Sequence, residues 1–389
     1  MKRFLCNFSF MQLLFMVALI AMGGTFIHSA GEARSTVFHG LWISHLYTAA
    51  VGLVIYFALS SLDYRKMLDL ASLPVFVVSI FLLVLVLVAG TDHFGGKRWL
   101  WFFQPSELAK LAVILFTAHF FGSEDGPEWR FGPRGLLAGL ALLGVPAMLI
   151  LVEPDLGTAL VMTPSIIVML LAARVWRKGL VTIIMLGALA AGLILGAVVK
   201  AESMPAADRD ALYEKFPLKQ HQIKRLRAFV NPDADPYGSG WNTKQAKISI
   251  GSGSLAGKGI GNGDHKLMGY LPPSVSMNDF IFAVLAEESG FTGSAVMLAL
   301  FLGILISCLW TAAKAVDDRG RLISIGVATL IFFHVYENVA MSVGLMPITG
   351  LPLPFISAGR TFLIVLMAAL GMVQSVNVTS GKTSNAERS

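Results

Sequence analysis

The chain has 389 residues, 55% of them hydrophobic and 14% charged, with a mean hydropathy of +0.70, which excludes an ordinary water-soluble domain. A net charge of +6 would suit a nucleic-acid binder in a soluble protein, but in a membrane protein Lys and Arg mostly mark the loops that stay in the cytoplasm, and no nucleic-acid partner is expected. Two cysteines, Cys6 and Cys308, and eight scattered histidines offer neither a disulfide framework nor a structural zinc site.

A bilayer core takes about 20 apolar residues per helix, and the sequence supplies such runs repeatedly. They lie near Phe10 to Ile27, Leu41 to Ser61, Ser72 to Ala89, Ser106 to Phe121, Gly135 to Val152, Gly157 to Ala173, Leu180 to Val199, Phe280 to Ala312, Leu322 to Leu345 and Phe355 to Val376. The expected fold is therefore an all-α polytopic membrane protein of about ten transmembrane helices, one membrane domain over residues 1–389. The stretch from Met1 to Ile27 has a basic start but no clear small-residue cleavage site, so it is read as a retained first helix.

The tails and even-numbered loops carry Lys2, Arg3, Arg65, Lys66, Arg130, Arg134, Arg174, Arg177, Lys178, Lys314, Arg319, Arg321, Lys382 and Arg388. The other short loops carry only Arg34, Lys97, Arg98 and Arg360. This asymmetry places both termini in the cytoplasm. Residues 200–279 then form a long extracytoplasmic loop between helices 7 and 8, too long for the charge rule to apply. Its Asn231-Pro232, Pro236-Tyr237-Gly238 and the run from Gly251 to Gly263 read as turns rather than long helices, with a short amphipathic helix near Lys219 to Phe229. Trp241, Ile248, Ile250, Leu255, Ile260, Leu267 and Leu271 give it anchors for an ordered cap.

Ionisable residues in or beside membrane spans are costly, so each invites a functional reading. Glu107 and Lys110 stand three apart at the outer start of the fourth span, on one helical face; a structural pair locking two helices is the plain alternative. Lys97 and Arg98 with Trp99 and Trp101 suit an anionic lipid headgroup, although interfacial tryptophans need no ligand. Glu153 and Asp155 flank Pro154 in a tight outer turn, where they could hold a divalent cation or a cationic side chain, or where Asp155 simply caps the next helix. Asp279 lies where the long loop enters the eighth span, a setting that raises a carboxylate toward the range of a general base; the plain alternative is a helix cap. Glu287 and Glu288, and the face shared by His334, Glu337 and Asn338, suggest a polar seam, with packing favoured for the His334 group.

Several strings together carry a resemblance: Lys97-Arg98-Trp99, Phe103 to Lys110, Glu153-Pro154-Asp155-Leu156-Gly157-Thr158, Asn231-Pro232 with Asp235-Pro236, Ile250 to Gly253 with Gly257-Lys258-Gly259, Asp279 to Glu288, and Pro347 to Phe355. In this order and over nearly the whole chain, they resemble the SEDS family (shape, elongation, division and sporulation), closest to its RodA branch. The resemblance implies a multi-pass glycosyltransferase of the bacterial cytoplasmic membrane that joins lipid II units into β-1,4 glycan strands for cell elongation and rod shape. It implies a class B penicillin-binding protein as partner, beside lipid II, the growing strand and membrane lipids. It further implies Asp279 as the catalytic base and Lys97, Arg98, Glu107, Lys110, Glu153, Asp155, Lys258 and Ser357 around the substrate, with a divalent cation (Mg or Mn) as an optional addition and no assigned metal ligand.

Two departures stand out. Where the family commonly has His-Thr-Asp, this chain has Met277-Asn278-Asp279, and where it has Tyr-Gly-Gly-Ser, this chain has Ala358-Gly359-Arg360-Thr361. A lipid II flippase and a noncatalytic scaffold are the competing readings, the first requiring a polar path through the whole bilayer.

Overall fold

The computed structural model describes residues 7–32, 40–93, 96–101, 103–214, 216, 220–235 and 238–386. Cys6, Lys2, Arg3, Arg34, Pro236, Tyr237, Lys219 and Arg388, and the side chains of Lys97 and Lys382, lie outside the described part.

Long helices stand at every place where the hydropathy pattern asks for one: α1 Phe10–Glu32, α2 Leu41–Ser61, α3 Tyr64–Ala89, α4 Pro105–Gly122, α5 Pro133–Val152, α6 Leu156–Ala172 and α7 Arg177–Glu202. After the long loop come α13 Ile281–Lys314, α14 Asp318–Val343 and α15 Arg360–Ala386. Among the described residues eight of these are by themselves long and apolar enough to cross a membrane. The other two, α4 and α6, are inner helices: α6 has only 17 residues, and α4 carries Glu107 and Lys110 on a largely buried surface. A helix screened from lipid by its neighbours needs less apolar surface of its own.

Local signals set the ends. Asp63 accepts from the backbone N–H of Arg65 at 3.0 Å to start α3, and Asp317 accepts from Gly320 N at 2.8 Å to start α14. Pro105 and Pro133 occupy first helical turns, where a missing N–H costs nothing. Gly344 closes α14 with a left-handed φ of 74°.

At the centre stands α14, which packs on α4, α6, α13 and α15, while α15 packs extensively on α2. Within their apolar windows 83% of α15 and 67% of α14 is buried, but only 6% of α7. The seventh helix therefore stands against lipid along almost its whole length. The connections α2–α3, α4–α5, α6–α7 and α13–α14 share one end of the bundle and carry the described members of the basic set, which marks that end as the cytoplasmic one.

Three features differ from expectation. A two-stranded antiparallel hairpin, β1 Thr91–His93 and β2 Gly96–Trp99, interrupts the all-α pattern before α4. The eighth span is not one helix from Phe280: Gly290 holds φ 66° and ψ −163°, breaking α13 into an outer piece and a longer inner one. A Cβ there would run into the backbone of Gly257 and Leu255, so only glycine permits the approach. Glu287 and Glu288 thus precede the membrane-crossing piece. Last, the long loop holds more helix than its turn residues suggest: α8 Ala206–Glu214, α9 Gln220–Val230, α10 Ser239–Ser252, and the single turns α11 Asp264–Leu267 and α12 Pro273–Ser276. The α10 helix, 14 residues long, is held by packing on α13 and α14, with Ala246 and Ser249 fully buried.

Candidate active site

The outer end of the bundle gathers charge from six separate segments. From α4 come Glu107 and Lys110, both buried, with Lys110 Nζ 2.8 Å from Glu107 Oε2. Lys110 also lies 2.9 Å from His334 Nε2 on α14. His334 Nδ1 is 2.8 Å from the carbonyl oxygen of Leu330, which can only accept, so Nδ1 bears the ring proton and Nε2 accepts from Lys110. Lys110 is thus committed on two sides and seated over the Phe362 ring at 4.9 Å. Glu107 and Lys110 both lie on α4, and the Lys110–His334 contact joins that helix to α14.

The α5–α6 turn brings Glu153 and Asp155. Asp155 caps α6, accepting from Thr158 N at 3.2 Å and from Thr158 Oγ1 at 3.0 Å, and it also accepts from Gln104 Nε2 at 3.2 Å. Glu153 is 1% exposed, and neither carboxylate oxygen has a hydrogen-bond partner among the described residues. Burial pushes its pKa up to about 8, the charge of Asp155 adding and that of Arg98 opposing. Arg98, on β2, donates from Nε to Glu153 O at 3.2 Å and from Nη2 to Pro154 O, which ties the hairpin to this turn.

Asp279 sits between α12 and α13 and is half-buried. It does not cap the following helix: the cap position is Phe280, with no side-chain cap bond, because Asp279 is one residue too early. Its backbone is held from two sides instead. Asn338 Nδ2 donates to Asp279 O at 2.9 Å, and Ser357 Oγ donates to Asn278 O at 2.7 Å while accepting from Leu353 N at 2.7 Å. Met277, inside the departing Met277-Asn278 pair, is fully buried, so the change is absorbed by packing. The carboxylate faces Gly350, where a Cβ would stand 3.4 Å from Oδ2. Burial pushes its pKa up to about 6, with Arg225 and Arg98 pulling down and Asp155 pushing up.

Arg225, on α9, is the cation that sequence reasoning missed. Its Nη1 donates to Thr349 O at 3.0 Å, and it stands in the field of Arg98, Asp279 and Asp155. Its one sequence signal was membership in the amphipathic helix expected there.

The structure therefore brings Arg98, Glu107, Lys110, Glu153, Asp155 and Asp279 into one electrostatic neighbourhood centred on Asp155, and adds Arg225. It does not bring Lys258 into contact with them. Lys258 pairs with Glu287 and Asp264, each at 2.8 Å, beside the Lys266–Glu288 pair and Ser29, a cluster that fastens the Gly-rich stretch to α13 and α1. Ser357 is taken up in holding the backbone before Asp279. Arg360 opens α15 as an exposed residue. Among the described residues no three His, Cys, Asp or Glu side chains converge as a metal cluster.

A half-buried carboxyl near pKa 6, in the field of two guanidinium groups at the outer end of the bundle, can take a proton while the cations receive a developing anion. The model of a family described as cell cycle protein, covering FtsW, RodA and SpoVE, matches residues 9–382. The chain belongs to the FtsW, RodA and SpoVE family. As a family member it is a multi-pass bacterial membrane protein. It is 34% identical over 371 residues to the peptidoglycan glycosyltransferase MrdB of Escherichia coli, covering 94% of this chain and 92% of the relative. It is 30% identical to the peptidoglycan glycosyltransferase RodA of Treponema pallidum, with 96% and 98% covered. The fold matches a chain solved under the description "Structural coordination of polymerization and crosslinking by a peptidoglycan synthase complex" with a TM-score of 0.72 at 27% identity, over 96% of this chain and 98% of that one. It matches the crystal structure of the rod shape determining protein RodA of Thermus thermophilus with a TM-score of 0.65 at 25% identity, over 95% and 96%.

Proposed function

We propose that this family member is a peptidoglycan glycosyltransferase that polymerises lipid II into β-1,4 glycan strands at the outer face of the cytoplasmic membrane, in the service of cell elongation and rod shape. The observation that carries the reading is Asp279, its carboxyl near pKa 6 and within the field of Arg98 and Arg225. At pH 7 about nine-tenths of it is ionised, ready to accept a proton. In the proposed step Asp279 takes the proton of the acceptor sugar's 4-hydroxyl. That oxygen forms a bond to the anomeric carbon of the lipid-linked strand with inversion, and the bond from that carbon to the lipid pyrophosphate breaks with its electron pair going to the phosphate oxygen. Arg98 and Arg225, held by backbone carbonyls rather than by carboxylates, would receive that charge, whereas Lys110 is spent on Glu107 and His334. A divalent cation would arrive with the pyrophosphate rather than in a cage of side chains.

The elongation role is supported by the relatives named MrdB and RodA, although the family also includes relatives named FtsW, such as that of Geobacter sulfurreducens at 31% identity. The bare flank of α7 supports entry of a lipid-linked substrate from the bilayer. The partner proposed is a class B penicillin-binding protein. Its membrane anchor would fit an apolar groove of about 330 Å³ between α13 and α14, lined by Leu298, Leu302, Leu305, Phe332, Tyr336 and Val343 among others.

The test is glycan polymerisation by the purified pair from labelled lipid II with crosslinking blocked. Polymer supports the enzyme. Transbilayer movement of lipid II without polymer would replace it with a flippase, and neither activity would leave a scaffold.

A further inference from the structure

The cytoplasmic face is not uniformly basic in effect, because four of its arginines are answered within the protein. Arg65 pairs with Asp317 at 2.8 Å, Arg319 with Asp69 at 2.7 Å and Arg321 with Asp318 at 2.9 Å. Arg130 turns inward, 5% exposed, donating to Phe120 O at 3.1 Å and to Ser123 O, with the Phe131 ring 4.8 Å away.

One corner is different. The α4–α5 and α6–α7 connections are locked together by a hydrogen bond from Trp176 N to Phe131 O at 2.9 Å. The Trp176 ring lies across Gly179, at the first turn of α7, with Leu136 of α5 on the same spot. Around this joint Arg134, Arg174, Arg177 and Lys178 are exposed, and among the described residues none is in an ion pair. Glu124, Asp125 and Glu128 are also exposed on the α4–α5 connection, and none pairs with the four. Three large aromatics sit half out of the protein at the same edge: Trp129, Phe131 and Trp176, at 44%, 41% and 43% exposure. Arg174 holds a left-handed φ of 60°, a conformation that glycine or asparagine would adopt at lower cost. Directly above, α7 offers a bare apolar flank through Val181, Met185, Leu189 and Leu193.

We propose that this corner is a binding site for an anionic phospholipid of the cytoplasmic leaflet, such as a diphosphatidylglycerol. Its phosphates engage Arg134, Arg174, Arg177 and Lys178, its glycerol region meets the aromatic edge, and its acyl chains lie along α7. Unanswered cations beside interfacial aromatics at a helix base match a lipid phosphate in charge and in depth. A merely topological excess of positive charge would not need the two loops joined, nor the aromatics grouped at the joint. The bound lipid would fill the space beside the seventh helix, which protein contacts leave uncovered. This site is separate from the surroundings of Asp279 and does not depend on the proposed chemistry.

The test is native mass spectrometry of the full-length protein during stepwise delipidation, with diphosphatidylglycerol and phosphatidylethanolamine supplied in equal amounts. Wild type should retain diphosphatidylglycerol preferentially. The triple variant Arg174→Gln, Arg177→Gln, Lys178→Gln should bind it roughly a hundredfold more weakly, at about one kcal/mol for each basic residue near a charged surface. Arg174→Lys with Arg177→Lys should restore retention. The variant Lys66→Gln, Lys314→Gln, which removes exposed cations elsewhere on the same face, should behave as wild type. Equal loss in both Gln variants, or no preference over phosphatidylethanolamine in the wild type, would overturn the site.

Discussion

Asn338 donates from its amide nitrogen to the backbone oxygen of Asp279 at 2.9 Å and to that of Leu351 at 2.8 Å. One side chain of α14 thus fixes both the residue proposed as the base and the loop whose Gly350 faces its carboxylate. The position of Asp279 is a property of the helix bundle rather than of the long loop alone.

Asn338→Leu keeps much of the volume and removes both bonds, leaving the buried carbonyl oxygen of Leu351 and the part-buried one of Asp279 without their donor. Each such group costs about 1–3 kcal/mol. Polymerisation should fall by roughly tenfold or more while the protein still purifies as a monodisperse membrane protein; unchanged turnover would show that Asn338 does not position the site.

The pH dependence follows from Asp279. Its carboxyl is raised from 3.8 to about 6 by burial, and the base must be ionised. Activity should rise with pH through about 6 and level off above 7, with roughly a tenth of the plateau at pH 5. A flat profile from pH 5 to 7.5, measured as initial polymer formation, would exclude this carboxyl as the titrating base.

Glu153 gives a stability signature of known sign. Its folded pKa, raised from 4.5 to about 8, means that the folded state holds a proton that the unfolded chain releases. Wild type therefore loses stability as pH rises from 4.5 to 8. Glu153→Gln lacks that loss, so it should gain on wild type across this window and run parallel above it. Thermal unfolding of both proteins in the same detergent at pH 5, 6.5 and 8 checks this, and parallel behaviour throughout would mean that Glu153 is ionised and paired.

The Lys110–Glu107 pair is buried and shared with His334. Breaking a buried pair from one side costs about 3–5 kcal/mol because a charge is stranded. Lys110→Met and Glu107→Gln should each destabilise strongly, and the double variant should cost less than their sum by about 1–3 kcal/mol. Additive losses in mixed-micelle unfolding would mean that the two do not act as a pair.

Much of this was legible in the sequence, and the exceptions have physical causes. The span pattern reads directly because hydropathy reports the solvent, and Asp155 as a cap reads from its place before Leu156-Gly157-Thr158. The break at Gly290 does not read, since Glu287-Glu288-Ser289 looks like a short polar patch between apolar stretches, and the close approach of Gly257 and Leu255 from the loop is a long-range contact. The α10 helix was hidden by its Ser and Gly content and forms through burial against α13 and α14. Arg225 could be placed on a helix but not beside Asp279, because that approach depends on how the loop folds over the bundle. Lys258 sits in a motif of the resemblance, yet its partner is Glu287, 29 residues ahead, a pairing that no local pattern encodes.

The central claim is that Asp279 is the base, and its most direct test compares wild type with Asp279→Asn, each purified with its cognate class B penicillin-binding protein and given labelled lipid II. Because ionising a carboxyl with a raised pKa costs folding free energy above pH 6, the Asn variant should be at least as thermally stable as wild type at pH 7.5. It should nevertheless form no detectable polymer where wild type forms long strands. Equal polymer from the two proteins would contradict the account.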